Sequence, residues 1–142
     1  MKKLIVVCAL ALAALGAASA PGASGGKTYA PKDCSKPSIA PKRIIFACGD
    51  AGAYINRLGW NKFGNHHARG RGVLKERKVC TPPQCPSNGF NRYSARIRLY
   101  KVKTEKCGGK RVRLFTRAEL RFPGQSPPDA DAFRHTQLYC NP

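Results

Sequence analysis

Acidic residues are scarce in this sequence, which has 7 Asp and Glu against 26 Lys and Arg and a formal net charge of +19. Such an excess of positive charge bears on partners and solubility rather than on the fold. Because 42% of the residues are hydrophobic, the chain is not a disordered polycation. Its 142 residues are enough for one domain and too few for two domains of typical size.

Two motifs that mark large enzyme classes are also missing. The sequence contains neither a Walker phosphate-binding loop nor H-E-x-x-H, which excludes P-loop nucleotide-binding proteins and the zinc metalloproteases that this motif defines. The Gly70-x-Gly72 pair is too short for a phosphate loop, and a close approach between strands is its expected role. We therefore expect no cofactor.

Long apolar runs are absent beyond the first twenty residues. Lys2 and Lys3 precede an apolar run from Leu4 to Leu15, and small residues follow it, which is the three-part pattern of a secretory signal peptide at residues 1–20. The run is shorter than the roughly 20 residues of a membrane-spanning helix. We therefore predict a secreted protein, extracellular or associated with the cell wall, without a transmembrane segment in the mature chain.

The mature chain is predicted to begin with a short leader. Cleavage after either Ala18 or Ala20 satisfies the preference for small residues at the cut. Residues 21–33 are rich in Gly, Ala, Ser, Pro and Lys, which is typical of a flexible segment. A single domain is expected to span residues 34–142.

Seven cysteines are present, and one of them, Cys8, lies in the predicted signal peptide. An even number in an exported chain predicts disulfide bonds. A zinc site would instead need thiolates in a reducing compartment and closely paired cysteines. The six cysteines allow fifteen pairings, and the sequence does not choose among them. The simplest sequential set includes the tight turn Thr-Pro-Pro-Gln: Cys34–Cys48, Cys80–Cys85 and Cys107–Cys140.

Two stretches alternate apolar and polar residues with period two, which is the pattern of half-buried strands. In residues 92–103 the phase slips at Tyr100, which predicts a bulge, and residues 110–122 keep the pattern throughout. No long amphipathic helix is present. The pattern predicts an all-β fold, a small antiparallel sandwich or barrel stapled by three disulfides. Shorter strands are expected at 44–48, 53–60 (or one helical turn), 68–74 and 133–140.

Several short pieces of the chain follow a recognisable order: I-F-A-C-G-D-A-G at 45–52, Trp60, A-R-G-R-G at 68–72, Cys80 and Cys85 around prolines, and F-P-G at 122–124 with Pro127-Pro128. Together they resemble a family of small secreted, cysteine-containing proteins from high-GC Gram-positive bacteria with no assigned activity. The chain has Ala51 and Phe63 where that family usually has Gly and a second Trp. The resemblance implies export and one disulfide-bonded domain, and it implies no activity.

Arginines occupy the polar positions of the two long predicted strands. If these strands pair, their arginines share one face, which only Glu119 relieves, although like charges opposite each other destabilise a sheet. A tolerated cost of this kind indicates an anionic partner, while the alternative is a solvated face that keeps the protein soluble. Tyr100 and Phe115 are expected to offer stacking surfaces. The predicted binding residues are Arg92, Arg96, Arg98, Arg111, Arg113, Arg117 and Arg121.

The sequence therefore predicts a non-catalytic module that binds polyanions: a cell-wall polymer, nucleic acid or an acidic lipid surface. Two alternatives stay open. A small secreted phosphodiester hydrolase would use His66 or His67 as a base, with Asp50 and His135 elsewhere in the chain. A protein-binding or inhibitory domain would show little salt dependence, because counterion release would not dominate its binding. No metal site is expected from the three histidines.

Overall fold

A computed structural model describes residues 26–78 and 89–142. The predicted signal peptide at residues 1–20 and the predicted Cys80–Cys85 disulfide lie outside the described residues. The elements of the described residues are β1 (Thr28–Pro31), β2 (Pro37–Ser38), β3 (Ile44–Ile45), β4 (Ala53–Phe63), β5 (Ala68–Arg77), β6 (Phe90–Cys107), β7 (Lys110–Arg121), α1 (Ala130–Arg134) and β8 (Thr136–Gln137).

The strands of the described residues form one sheet in the order β2-β1-β7-β6-β5-β4-β3, and β8 also pairs with β7. Strands β4 to β7 form an antiparallel meander, whereas β1 runs parallel to β7. The sheet curls into a half-barrel. The prediction of a β-rich fold is confirmed, but a single curled sheet replaces the expected sandwich or barrel. The outermost strands β2 and β3 have two residues each, which is too little pairing to close a barrel.

One face of the sheet, the inner face, carries the hydrophobic core. Ile97 and Leu99 of β6 are buried there with Leu74 of β5 and Leu120 of β7, as period-two alternation requires. Phe133 of α1 packs onto the same cluster, so the short helix covers part of the inner face. The intervening polar residues of the long strands lie on the opposite, outer face.

Two glycines of β5 allow β4 to approach closely. A Cβ at Gly72 would lie 2.7 Å from the carbonyl oxygen of Asn56, and a Cβ at Gly70 would lie 2.7 Å from that of Gly59. The pairing register of β4 with β5 shifts twice along this stretch. Bulges of this kind bend a strand and increase its twist, so they contribute to the curl. The expected role of the two glycines as points of close backbone approach is confirmed.

Two of the predicted disulfides, Cys34–Cys48 and Cys107–Cys140, are formed. The backbone N–H of Asn141 donates to the carbonyl of Cys34 at 2.6 Å, and the N–H of Gly108 donates to the carbonyl of Asn141 at 3.0 Å. These hydrogen bonds hold the two disulfides close together beside the turn between β6 and β7. Disulfides of this kind suggest an oxidising, extracellular compartment.

Strand β1 lies inside residues 21–33, the stretch predicted to be a flexible leader. Thr28 and Ala30 of β1 are buried, and the Thr28 hydroxyl donates to the carbonyl of Asn65 at 2.8 Å. Strand β1 also pairs with β7. The composition of residues 21–33 did not reveal this strand, because its partner lies more than 80 residues along the chain.

Residues 133–140 do not form the predicted strand. They contain the end of α1 and the two-residue β8. Asp131 and Arg134 form an exposed ion pair at 2.7 Å one helical turn apart, and Phe133 of the same turn is buried in the core. One large apolar side chain in the core is enough to hold this short turn of helix, and the residue pattern does not separate a strand from a helix over so few residues.

The irregularity in β6 lies at Lys101, which has a φ of +53°. Pairing continues in one register on both sides, with Tyr100 opposite Arg117 and Val102 opposite Phe115. The Thr116 hydroxyl donates to the Lys101 carbonyl at 2.9 Å. A left-handed residue, rather than the predicted inserted residue, therefore causes the slip in the apolar pattern.

Candidate functional site

Three neighbouring strands place arginines side by side on the outer face. In antiparallel strands, directly opposed residues share a face with their Cβ atoms about 4.5–5.5 Å apart. Arg71 of β5 is opposite Arg96 of β6, and Arg96 is opposite Arg121 of β7. We call these three residues the arginine row. Three positive charges thus adjoin one another across the sheet.

A second row lies two residues further along the same strands. Arg69 of β5 is opposite Arg98 of β6, and Arg98 is opposite Glu119 of β7. Lys62 extends this line onto β4, where it is opposite Arg69. We call these four residues the mixed row. Like the arginine row, the mixed row carries three positive charges, but it ends in the carboxylate of Glu119.

The two rows border an open cleft of about 620 Å³, which we call the arginine cleft. Its lining contains five guanidinium groups and one carboxylate, so its charge favours an anionic ligand. The lining residues are Asn61, Arg69, Gly70, Arg71, Arg96, Ile97, Arg98, Glu119 and Arg121.

Glu119 is held between two arginines of the cleft. Its carboxylate accepts a hydrogen bond from Arg121 Nε at 2.6 Å and lies 3.8 Å from Arg98. The hydrogen bond from Arg121 lowers the pKa of Glu119. Partial burial opposes this, and the positive charges of Arg121, Arg98 and His135 lower the pKa further. The Glu119 side chain is 13% exposed and that of Arg121 is 79% exposed, so the guanidinium is the group that faces solvent.

A tyrosine and a histidine adjoin the mixed row. The guanidinium carbon of Arg98 lies 5.6 Å from the centre of the Tyr100 ring, which is cation–π range. The Tyr100 hydroxyl is 3.1 Å from His135 Nδ1. A second cleft of about 600 Å³ contains His135 and Arg134 and shares Glu119 and Arg121 with the arginine cleft. The two clefts therefore meet at Glu119 and Arg121.

Three of the seven predicted arginines, Arg96, Arg98 and Arg121, line the cleft. Arg71 belongs to the arginine row and Arg69 to the mixed row. Neither was among the predicted binding residues. Their alternation with glycine was the available signal. It indicated a strand, but it did not indicate which strand would be the neighbour.

The other four predicted arginines lie outside the cleft lining. Arg92 is opposite Lys75, and Arg117 is opposite Tyr100. Arg111 and Arg113 lie near the start of β7, and Arg113 donates a hydrogen bond to the Gly26 carbonyl at 3.1 Å. Arg111 is opposite Lys106 near the turn of the hairpin. The predicted arginine face is thus divided into separate groups along the hairpin.

Phe115 lies between these groups and is not the surface stacking residue that the alternation predicted. It is 1% exposed, and its ring centre lies 5.7 Å from that of Phe63. Phe115 is opposite Val102, the residue after the left-handed Lys101. The alternation between the two faces is interrupted there, and Phe115 packs into the core. Tyr100 is half-buried and remains beside the cleft.

His66 and His67 lie in the turn between β4 and β5, far from Asp50. Desolvation, followed by the positive charges of Lys62 and Arg69, lowers the pKa of His67. Asp50 instead accepts a hydrogen bond from Gly52 N at 2.8 Å within its own turn and contacts Arg77 at the other end of β5. The ten residues of β5 span about 30 Å at the usual rise. Asp50 therefore does not orient either histidine.

Among the described side chains there is no group of three or more His, Cys, Asp or Glu that could hold a metal ion. The helix in the described part of the chain is also not long and apolar enough to cross a membrane.

Comparison with protein-family models, curated proteins and solved structures gave no match. The resemblance to secreted proteins of high-GC Gram-positive bacteria stays a prediction, and the site is interpreted from its own geometry.

Proposed function

We propose that this protein is a secreted binding module for phosphate-bearing polyanions and that the arginine cleft is its binding site. The observation that carries the proposal is the arginine row. Arg71, Arg96 and Arg121 stand opposite one another on three strands, an arrangement that costs stability because like charges repel. An anion bound across the row would relieve that repulsion.

Arginine suits this role better than lysine does. Its planar guanidinium carries fixed donors that bind a phosphate through two parallel hydrogen bonds. The strand pairing places the five arginines of the cleft in two neighbouring rows, so a flexible chain of phosphates can contact several of them together. Charge-assisted hydrogen bonds of this kind contribute about 1.5–3 kcal/mol each.

A salt series tests the proposal directly. The oxidised protein is titrated with single-stranded DNA, teichoic acid and anionic phospholipid vesicles at increasing salt. Binding through phosphate contacts releases counterions, so affinity for DNA should fall with a log–log slope of roughly −3.5 if all five cleft arginines contact phosphates. Flat or absent binding to all three polyanions would overturn the proposal and favour the protein-binding alternative.

Two charge-reversal variants locate the site. Arg71→Glu with Arg96→Glu removes a facing pair of cations inside the cleft. Lys106→Glu with Arg111→Glu removes a facing pair near the hairpin turn, with the same change in net charge. Losing two phosphate contacts should weaken binding on the order of 100-fold, whereas the control pair should change it by less than about threefold. Equal losses would mean that net charge, not the cleft, binds the polyanion.

A further inference from the structure

Glu119 is an unexpected residue for an anion-binding cleft. A carboxylate repels the phosphates that the surrounding arginines attract, so a cleft built only to bind would hold a polyanion more tightly without it. Glu119 nevertheless lines both clefts and is kept ionised by Arg121 and Arg98. It is the one acceptor of protons in the lining of the arginine cleft.

A histidine, His135, lies beside this acceptor. Ala118 of β7 is opposite Thr136 of β8, so the preceding residue, His135, comes next to Glu119. Both side chains line the second cleft, and the positive charge of His135 contributes to the lowered pKa of Glu119. The β7–β8 pairing thus adds a histidine to the line of charged residues that ends in Glu119.

Tyr100 orients the histidine. Its hydroxyl is 3.1 Å from Nδ1 of His135. In the protonated imidazole, Nδ1–H donates to this hydroxyl, and Nε2–H is left to donate elsewhere. Tyr100 is also beside Arg98, so the tyrosine connects the histidine to the phosphate-binding side chains. Tyr100 is therefore a positioning residue rather than a catalytic one.

We propose that the junction of the two clefts cleaves RNA, an inference that rests on the proposed binding function. The Glu119 carboxylate accepts the proton of a ribose 2′-hydroxyl, and the 2′-oxygen forms a bond to the adjacent phosphorus. The bond from phosphorus to the 5′-oxygen breaks, and His135 gives its Nε2 proton to that oxygen. The products are a 2′,3′-cyclic phosphate and a free 5′-hydroxyl, and Arg98 and Arg121 stabilise the charge that develops on the phosphate.

The proposed step needs no co-reactant. The proton taken up by Glu119 balances the proton given by His135, and no electron transfer takes place. Only a ribose supplies the 2′-hydroxyl. DNA of the same sequence should therefore bind in the cleft and remain intact, which separates cleavage from binding.

The test uses a labelled single-stranded RNA of mixed sequence and the matching DNA, with the oxidised protein and all variants purified in the same way. Cleavage is followed on gels, product ends are identified by mass spectrometry, and binding of the DNA is measured in parallel. We expect wild-type protein to cleave the RNA and leave 2′,3′-cyclic ends. Glu119→Gln and His135→Ala should each slow cleavage at least about 100-fold, as loss of a general base or acid does.

Binding distinguishes catalysis from a structural role for the glutamate. Glu119→Gln should bind DNA at least as tightly as wild type, because a negative charge leaves the cleft. Tyr100→Phe should slow cleavage without changing DNA affinity more than about twofold. The control variant His66→Ala with His67→Ala should cleave at the wild-type rate, whereas loss of cleavage in this control would move the chemistry to the turn between β4 and β5.

Each negative result has a separate meaning. Intact RNA together with tight, salt-dependent DNA binding would overturn the cleavage inference and leave the binding module standing. Intact RNA together with no binding to DNA, teichoic acid or anionic vesicles would overturn both. Cleavage that survives Glu119→Gln would show that Glu119 is not the base, and cleavage that survives His135→Ala would show that His135 is not the acid.

Discussion

Glu119 on the outer face and Glu76 on the inner face belong to strands on either side of β6, and their pKa values move in opposite directions. Arginine contacts lower the pKa of Glu119. Burial, a side-chain hydrogen bond with Asp129 and the negative charge of Asp129 raise the pKa of Glu76 to about 7. At neutral pH the glutamate of the outer face is therefore ionised, whereas the glutamate of the inner face titrates close to neutral pH.

The difference separates two tasks within one sheet. The outer face accumulates like charges, which favours an anionic ligand at some cost in stability. The inner face packs apolar side chains from β5, β6, β7 and α1. Glu76 on the same face, next to Asp129, retains a proton more readily than an exposed glutamate does. Substitutions on the inner face should therefore change stability most, and those on the outer face should change binding most.

The largest expected effect is at the close contact between β4 and β5. In Gly72→Ala the new Cβ would lie 2.7 Å from a backbone oxygen, so the strands must separate. We expect unfolding free energy to fall by about 1–3 kcal/mol, the usual cost of overpacking, measured by denaturant titration. Gly59→Ala is the matched control, because a Cβ there meets nothing within 4 Å. Equal effects in the two variants would contradict the tight contact.

An intermediate effect is expected in the pH dependence of stability. The pKa of Glu76 is about 7 in the folded protein, against an ordinary value of 4.5. Between these values the folded state binds more protons than the unfolded state, so this group makes stability fall as pH rises from about 4.5 to 7 and has no further effect above that range. Denaturant titrations across this range should show the decline in wild-type protein.

Two glutamine variants isolate this contribution. Glu76→Gln cannot titrate, so it should flatten the decline in stability between pH 5 and 7. Glu119→Gln should retain the decline, because the pKa of Glu119 is lowered and its contribution is lost only as pH falls into the acidic range. A decline that is unchanged in Glu76→Gln would mean that another group titrates there.

The smallest expected effect is a gain in stability on the outer face. Arg96→Gln removes the central charge of the arginine row, which has an arginine on each side. Unfolding free energy should rise by about 0.2–1 kcal/mol at low salt, and the gain should shrink at high salt as repulsion is screened. Arg98→Gln should show no such gain, because Arg98 adjoins Glu119. A loss of stability in Arg96→Gln would show that the row is not repulsive.

Period-two alternation predicted the two longest strands well. Ala95, Ile97 and Leu99 are buried, and the arginines between them are exposed. The prediction succeeds because each strand residue shows by its own side chain, apolar or polar, which face of the sheet it occupies. Residues 133–140 do not alternate in this way, and the strand predicted there was wrong because a buried Phe133 anchors a helical turn instead.

The site was only partly predictable, because its assembly depends on pairing between distant strands. Arg96, Arg98 and Arg121 were identified from one hairpin, but Arg69 and Arg71 come from β5 and join them only through the β5–β6 register. His135 reaches Glu119 through β8, a strand of two residues. Such a short strand leaves almost no periodicity in the sequence, so its partner could not be inferred.

The Cys107–Cys140 bond has a consequence for resistance to proteolysis. It closes a covalent ring that contains β7, α1 and β8, and hence Glu119, Arg121 and His135. A protease that cuts the exposed loop at residues 123–126 opens this ring without releasing a fragment. The nicked protein would stay in one piece until a reductant separated it, so a single cleavage in that loop need not remove His135 from Glu119.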